Sequence, residues 1–185
     1  MAITLAQSRK ISAEIAKKNP RFKPIIKQSG PCPLGIKTKK PLESNFSTLA
    51  SSILSQQLST KAAATIINRV EQLCGGTLQA KKLATLSPDK LRAAGCSNSK
   101  ARAVKELARA STGNQIPMKN LHRLGDEEIM QHLLPMYGIG QWTVEMFLMF
   151  QLERVDVWPV GDLGVRRGWE KVNRMRSEIT PAALV

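Results

Sequence analysis

Leu133-Leu134-Pro135-Met136-Tyr137-Gly138-Ile139-Gly140-Gln141-Trp142-Thr143-Val144 reads as the end of one helix, a Gly-Ile-Gly turn and the start of another. Glycines at a turn tolerate positive φ and let another backbone come close. The amides at the start of the following helix point at whatever lies beyond it, and an anion suits them best. The stretch predicts a helix, hairpin and helix over about residues 128–151, with Gly138, Ile139 and Gly140 as the phosphate-facing turn. A Gly-x-Gly pair also serves any tight turn between packed helices, so the ligand must be argued from the rest of the chain.

The surrounding sequence repeats the helical period and shows no strand-like alternation, so the fold class is all-α. A helix is expected over about 3–18, followed by an irregular connection punctuated by Pro20, Pro24, Gly30, Pro31, Pro33 and Pro41. Further helices are expected from Phe46 to about Gln57, and from Ser59, an N-cap residue, until Gly75 and Gly76 stop it. Ser87-Pro88-Asp89 has the cap, first-turn proline and early acid of another helix, closing at Gly95. The remainder are expected over Asn98–Arg109, from Asp126 to near Pro135, over Trp142–Phe150, and from near Asp162. Two regions follow: a basic N-terminal helix with its connection over 1–42, and a helical core over 43–185.

Composition narrows the partner. A chain of 185 residues with 42% hydrophobic content can bury a core, and its formal charge of +14 exceeds what solubility needs. Ten Lys or Arg against the single acid Glu14 fall in the first forty residues. Such charge fits a polyanion, nucleic acid before all others. No apolar run approaches the ~20 residues that span a bilayer. The first thirty residues lack the apolar segment of a signal peptide, so an intracellular protein without a membrane partner is expected. Cys32, Cys74 and Cys96 are too few and too widely spaced for a disulfide framework or a CxxC knuckle. His122 and His132 stand alone, and neither metal nor cofactor is expected.

After Gly140, Val155-Asp156-Val157-Trp158-Pro159-Val160-Gly161-Asp162-Leu163-Gly164-Val165-Arg166-Arg167 is a Pro- and Gly-bearing loop that ends in an aspartate, twenty-two residues beyond Gly140, before a basic helix. Taken alone, Asp162 is a helix cap. The order of hairpin, Gly/Pro-rich loop and Asp nevertheless resembles the helix-hairpin-helix DNA glycosylases, in which that Asp is catalytic. A second block, Ile53-Leu54-Ser55-Gln56-Gln57-Leu58-Ser59, is similar to the segment that opens the core of 3-methyladenine glycosylases of the second bacterial type. Together the blocks cover about residues 45–172.

The resemblance implies two helical lobes flanking a DNA-binding cleft, with Asp162 at its mouth. It implies that Gln57 or Leu58 fills the gap left by a flipped nucleotide in duplex DNA, with Gln56 beside them. Bifunctional relatives carry a Schiff-base lysine in the hairpin, where this chain has Trp142. A monofunctional enzyme with water as nucleophile is therefore expected, with Asp162 stabilising the positive charge left on the sugar. An aromatic face attracts cationic rings, which favours alkylated purines such as 3-methyladenine and 7-methylguanine. Trp142, Tyr137, Trp158 and Met146 are the candidate pocket residues, Met146 standing where some relatives have an aromatic. Each could equally be ordinary packing.

Lys61, Lys100, Arg102, Arg166 and Arg167 are candidate phosphate contacts. The family continues beyond the catalytic helix with a Trp-Arg-Pro-Tyr-Arg-Ser-like segment that Arg174–Val185 matches poorly, so the C-terminal part is expected to be shortened. The expected activity is excision of alkylated purines in base excision repair, by a monomer acting on damaged double-stranded DNA in the cytoplasm, nucleoid or nucleus. A glycosylase for another damaged base, and a non-catalytic lesion-binding protein, remain open on sequence.

Overall fold

The computed structural model of the chain describes residues 3–36 and 43–184. Pro41 of the expected connection, and the chain end at Val185, lie outside them. Ten α-helices are present among the described residues, and the extended pairing there is one isolated bridge between Ile3 and Ile36. The all-α expectation holds. The chain divides into two compact units, one formed by Met1–Pro41 with Leu148–Val185, the other by Leu42–Phe147.

The second unit begins with α3 (Asn45–Ser55), preceded in the chain by α1 (Leu5–Lys18) and α2 (Lys23–Ser29) of the other unit. Phe46, Leu49, Ala50, Ile53 and Leu54 of α3 recur at helical spacing and are all buried. A fully buried Leu or Ile is stabilising by roughly 1.5–3 kcal/mol relative to an exposed one. Packed around them follow α4 (Thr60–Leu73), α5 (Ala80–Thr85), α6 (Pro88–Ala93), α7 (Asn98–Thr112), α8 (Asp126–Leu133) and the larger part of α9 (Gln141–Phe150). α7 is the central strut, packed against α3, α5 and α6. Ala101, Ala103, Ala108 and Ala110 keep its surface low enough for close approach.

Serine side chains set most starts in this unit. Ser44, Ser59, Ser87 and Ser97 each accept a hydrogen bond from the backbone N–H three residues on, an arrangement worth ~1 kcal/mol per cap. The stops differ from expectation in one informative place. α3 ends at Ser55 rather than Gln57, because Gln56 leaves the helix at ψ 135° and Gln57 is left-handed at φ 57°.

In the first unit, Thr4 and Gln7 close a capping box at the head of α1. The proline-rich connection is more ordered than its sequence suggests. Pro20–Phe22 forms a 3-10 turn and α2 follows directly, with Pro24 in its first turn. A proline there loses no hydrogen bond, because first-turn amides have no intrahelical acceptor. α10 (Leu163–Asn173) completes the unit and packs on that 3-10 turn. Arg21 Nη1 donates to the Asn173 carbonyl at 2.5 Å, closing the C-terminal end of α10.

Cys74 and Cys96 are buried and Cys32 is exposed. Burial pushes both inner thiols above the ordinary cysteine range. Ellman's reagent should therefore titrate one thiol promptly in the native protein and all three in guanidinium. Prompt reaction of two or three in the native state would contradict this packing.

Candidate functional site

In the second unit the hairpin between α8 and α9 rests on α7. Gly138 is left-handed at φ 82°, and a Cβ there would lie 2.8 Å from the Ala103 side chain. Both backbone conformation and space thus demand glycine. Gly140 is different, because nothing stands within 4 Å of where its Cβ would be. Its role is an open approach rather than a special φ. Ile139 between them is 5% exposed and pins the turn into the core. The fragment presents backbone outward and one apolar anchor inward, as a phosphate-binding turn requires.

Two polar side chains fasten that turn. The Tyr137 amide donates to Glu106 Oε1 of α7 at 3.2 Å, and Gln56 Nε2 donates to the Gly138 carbonyl at 2.9 Å. Arg102, one turn before Glu106, lies over the Tyr137 ring with its guanidinium carbon 4.0 Å from the centroid. One face of Tyr137 is thus covered by a cation.

Trp142, at the start of α9, is 48% exposed, and Met146 follows one turn later, half-buried. The same helix carries Glu145, which sequence reasoning missed. It is buried, and its Oε1 accepts from Gln141 Nε2 at 2.9 Å. An acid in an otherwise apolar helix was the available signal.

The sequence block 56–58 separates by role. Gln56 commits an amide donor to the hairpin, whereas Gln57 and Leu58 are exposed. Lys61 is exposed beside Ser59, Ile66 and Arg69 at an open depression of about 440 Å³. Lys100 is engaged inward, Nζ donating to the Leu54 carbonyl at 2.8 Å. Burial lowers its pKa from the ordinary lysine value, with Cys96 nearby acting in the opposite sense.

In the first unit the loop before α10 delivers Asp162 by two tight turns, Val160 N to Trp158 O and Asp162 N to Pro159 O, each 2.9 Å. Asp162 is the N-cap of α10, its Oδ1 accepting from Val165 N at 2.8 Å. Gly164 leaves room for that carboxylate, since a Cβ there would approach Oδ1 to 3.0 Å. The helix N-terminus supplies partial positive charge beside it.

Trp158 donates Nε1–H to the Leu184 carbonyl at 2.9 Å. Its ring stands 6.2 Å from Trp169, which has Phe22 at the same centroid distance on another side. These rings line a cavity of about 1050 Å³ within the first unit, with Arg21 and Lys171 at its edge. Trp169 and Phe22 were not singled out by sequence. Arg166 is half-buried with Nη1 on the Ile179 carbonyl at 3.2 Å, while Arg167 is exposed. Trp158, Asp162, Arg166 and Arg167 thus belong to the first unit. Gln56, Gln57, Leu58, Lys61, Tyr137, Gly138, Ile139, Gly140, Trp142 and Met146 belong to the second.

Comparison with known proteins decides the family, because residues 50–184 match the HhH-GPD superfamily of base excision DNA repair proteins. The chain belongs to the HhH-GPD superfamily. It is 36% identical over 133 residues to DNA-3-methyladenine glycosylase 1 of Schizosaccharomyces pombe, covering 70% of this chain and 58% of that protein. The chain thus spans less than two thirds of this curated relative. A crystal structure of a DNA-3-methyladenine glycosidase from Bacillus halodurans superposes with TM-score 0.79 at 35% identity, over 92% of this chain and 76% of the other. The S. pombe 3-methyladenine DNA glycosylase in complex with abasic DNA superposes at TM-score 0.75 and 31% identity, over 88% of this chain and 79% of that one. The HhH-GPD hairpin, loop and Asp162 all lie inside the matched range.

Asp162 caps α10, so two substitutions separate its cap from its charge. Asp162→Asn keeps a side-chain oxygen for Val165 N and should move the melting temperature by under about 1 °C, since Asn caps as well as Asp. Asp162→Ala removes the cap at a cost of ~1 kcal/mol, or roughly 2–4 °C for a chain of this size. Equal melting temperatures for the two variants would show that the cap contributes nothing.

Proposed function

We propose that the protein is a monofunctional DNA glycosylase that hydrolyses the N-glycosidic bond of alkylated purines, 3-methyladenine and 7-methylguanine, in double-stranded DNA. The observation that carries this reading is Asp162, a carboxylate held at the head of α10 inside the range that matches the superfamily. The relatives' names support the substrate class. DNA as the partner is supported by the formal charge of +14 and by the exposed turn at Gly140.

Each residue has a role derivable from its chemistry. As the base departs, the sugar gains positive charge, and the Asp162 carboxylate stabilises it. Water completes the hydrolysis at C1′, and the same carboxylate can accept a proton from it. Alkylation at N3 or N7 makes the purine a cationic leaving group, so modest recognition suffices. The exposed face of Trp142 offers ~0.5–2 kcal/mol to such a ring, depending on desolvation. Trp142 also explains why strand cleavage is not expected, because an indole cannot form the Schiff base that an amine forms. Gly138, Ile139 and Gly140 hold a phosphate of the backbone, and Gln57 or Leu58 fills the vacated stack. Arg167 and Lys61 add phosphate contacts that weaken with salt. The reading is of a monomer.

Purified protein and the Asp162→Asn variant are incubated with methylated duplex DNA, and the released bases are resolved by chromatography. Wild type should release 3-methyladenine or 7-methylguanine, the variant neither, with strand breaks appearing only after alkali. Tight DNA binding by both without base release would overturn the enzymatic reading in favour of a lesion-binding protein. Breaks formed before alkali would overturn its monofunctional part.

A further inference from the structure

The exposed tip after α3 and the hairpin before α9 are 82 residues apart in sequence yet joined by one side chain, Gln56 Nε2 donating to the Gly138 carbonyl at 2.9 Å. Both ends of this bond are fixed. Gly138 is held by its φ of 82° and its seat on Ala103. The end of α3 is held by Lys100, whose Nζ donates to the Leu54 carbonyl at 2.8 Å. Immediately beyond Gln56, Gln57 takes a left-handed conformation at φ 57°, and Leu58 is left 38% exposed. A non-glycine residue pays conformational energy for that backbone, and such strain persists where neighbouring contacts impose it. An exposed leucine beside a strained residue is a poor arrangement for stability alone.

We propose that Gln56 is a positioning residue whose bond to the Gly138 carbonyl holds the Gln57–Leu58 tip at a fixed separation from the phosphate-binding hairpin. Anchoring the hairpin on the DNA backbone then brings the tip to the base stack in register. The inference rests on the DNA glycosylase reading and deepens it. It moves Gln56 from the DNA contact expected from sequence to an internal strut, leaving Gln57 and Leu58 as the groups that enter the stack. Reacting groups displaced by about 1 Å can lose on the order of a hundredfold in rate, so a single strut can matter without touching the substrate.

The test uses two variants of the full chain. Gln56→Met keeps the length and volume of the side chain and removes the donor; Gln56→Lys restores a donor on an unbranched stem. Tip insertion is read by 2-aminopurine fluorescence in a duplex carrying the probe beside a tetrahydrofuran abasic site, and base release by single-turnover assay on methylated DNA. Gln56→Met should lower both by roughly tenfold to a hundredfold. Its affinity for undamaged duplex should stay within about threefold of wild type, because the phosphate contacts remain. Gln56→Lys should recover most of the fluorescence change, and the melting temperatures of all three proteins should agree within a few degrees.

Wild-type behaviour of Gln56→Met would overturn the proposal. So would parallel loss of melting temperature, duplex binding and insertion in both variants, which would mark Gln56 as merely structural. If wild type inserts its tip in a Gln56-dependent way but releases no base, the glycosylase reading fails while the positioning role stands. If wild type binds without any fluorescence change, the proposal fails, whatever the release assay shows.

Discussion

The hairpin can lie on α7 only because Gly138 lacks a Cβ. A methyl group there would sit 2.8 Å from the Ala103 side chain, and the φ of 82° would strain any other residue. From that contact the rest of the second unit's outer surface follows. It places the Tyr137 amide within reach of Glu106, the Tyr137 ring under Arg102, and the Gly138 carbonyl within reach of Gln56. It also seats the first turn of α9, whose Thr143 and Val144 are buried while Trp142 stays on its exposed side. α7 is thus a mould on whose small alanine face the Gly138–Gly140 turn is cast.

On the proposed reading, Asp162 satisfies folding and chemistry with one side chain. Its Oδ1 caps α10 through Val165 N, fixing the carboxylate at the positive end of the helix. A catalytic carboxylate needs both properties, since a group that reorients during reaction forfeits electrostatic stabilisation. On the proposed reading, the cap that alone explains this Asp is also the means of its preorganisation. The turns through Pro159 and Val160, and the absence of a side chain at Gly164, belong to the same device.

Local patterns in the sequence carried the all-α class, the hairpin, the caps Ser59 and Ser87 and the loop ending in Asp162, since each depends on residues within a few positions of one another. What stayed hidden was non-local or lacked a signal. α2 was obscured because Pro24 reads as a breaker when it is a first-turn residue. α5 starts at Ala80 without a side-chain cap, so nothing announces it. Gln56 and Lys100 look solvent-facing in sequence, and only their partners, 82 and 46 positions away, turn them inward. Phe22 and Trp169 meet for the same reason, brought together from opposite ends of the chain. The shared membership of the HhH-GPD superfamily explains why the motif order was legible at all.

On the proposed reading, the Asp162 carboxylate stabilises positive charge at the sugar. The most direct measurement of that stabilisation compares binding of two duplexes, one with a neutral tetrahydrofuran abasic site and one with a cationic pyrrolidine analogue in its place. Wild type should prefer the cationic duplex by at least about a hundredfold, as expected for a mimic of the transition state, and Asp162→Asn should lose that preference while still binding both. Equal affinity of wild type for the two duplexes, or an undiminished preference in the variant, would contradict the account.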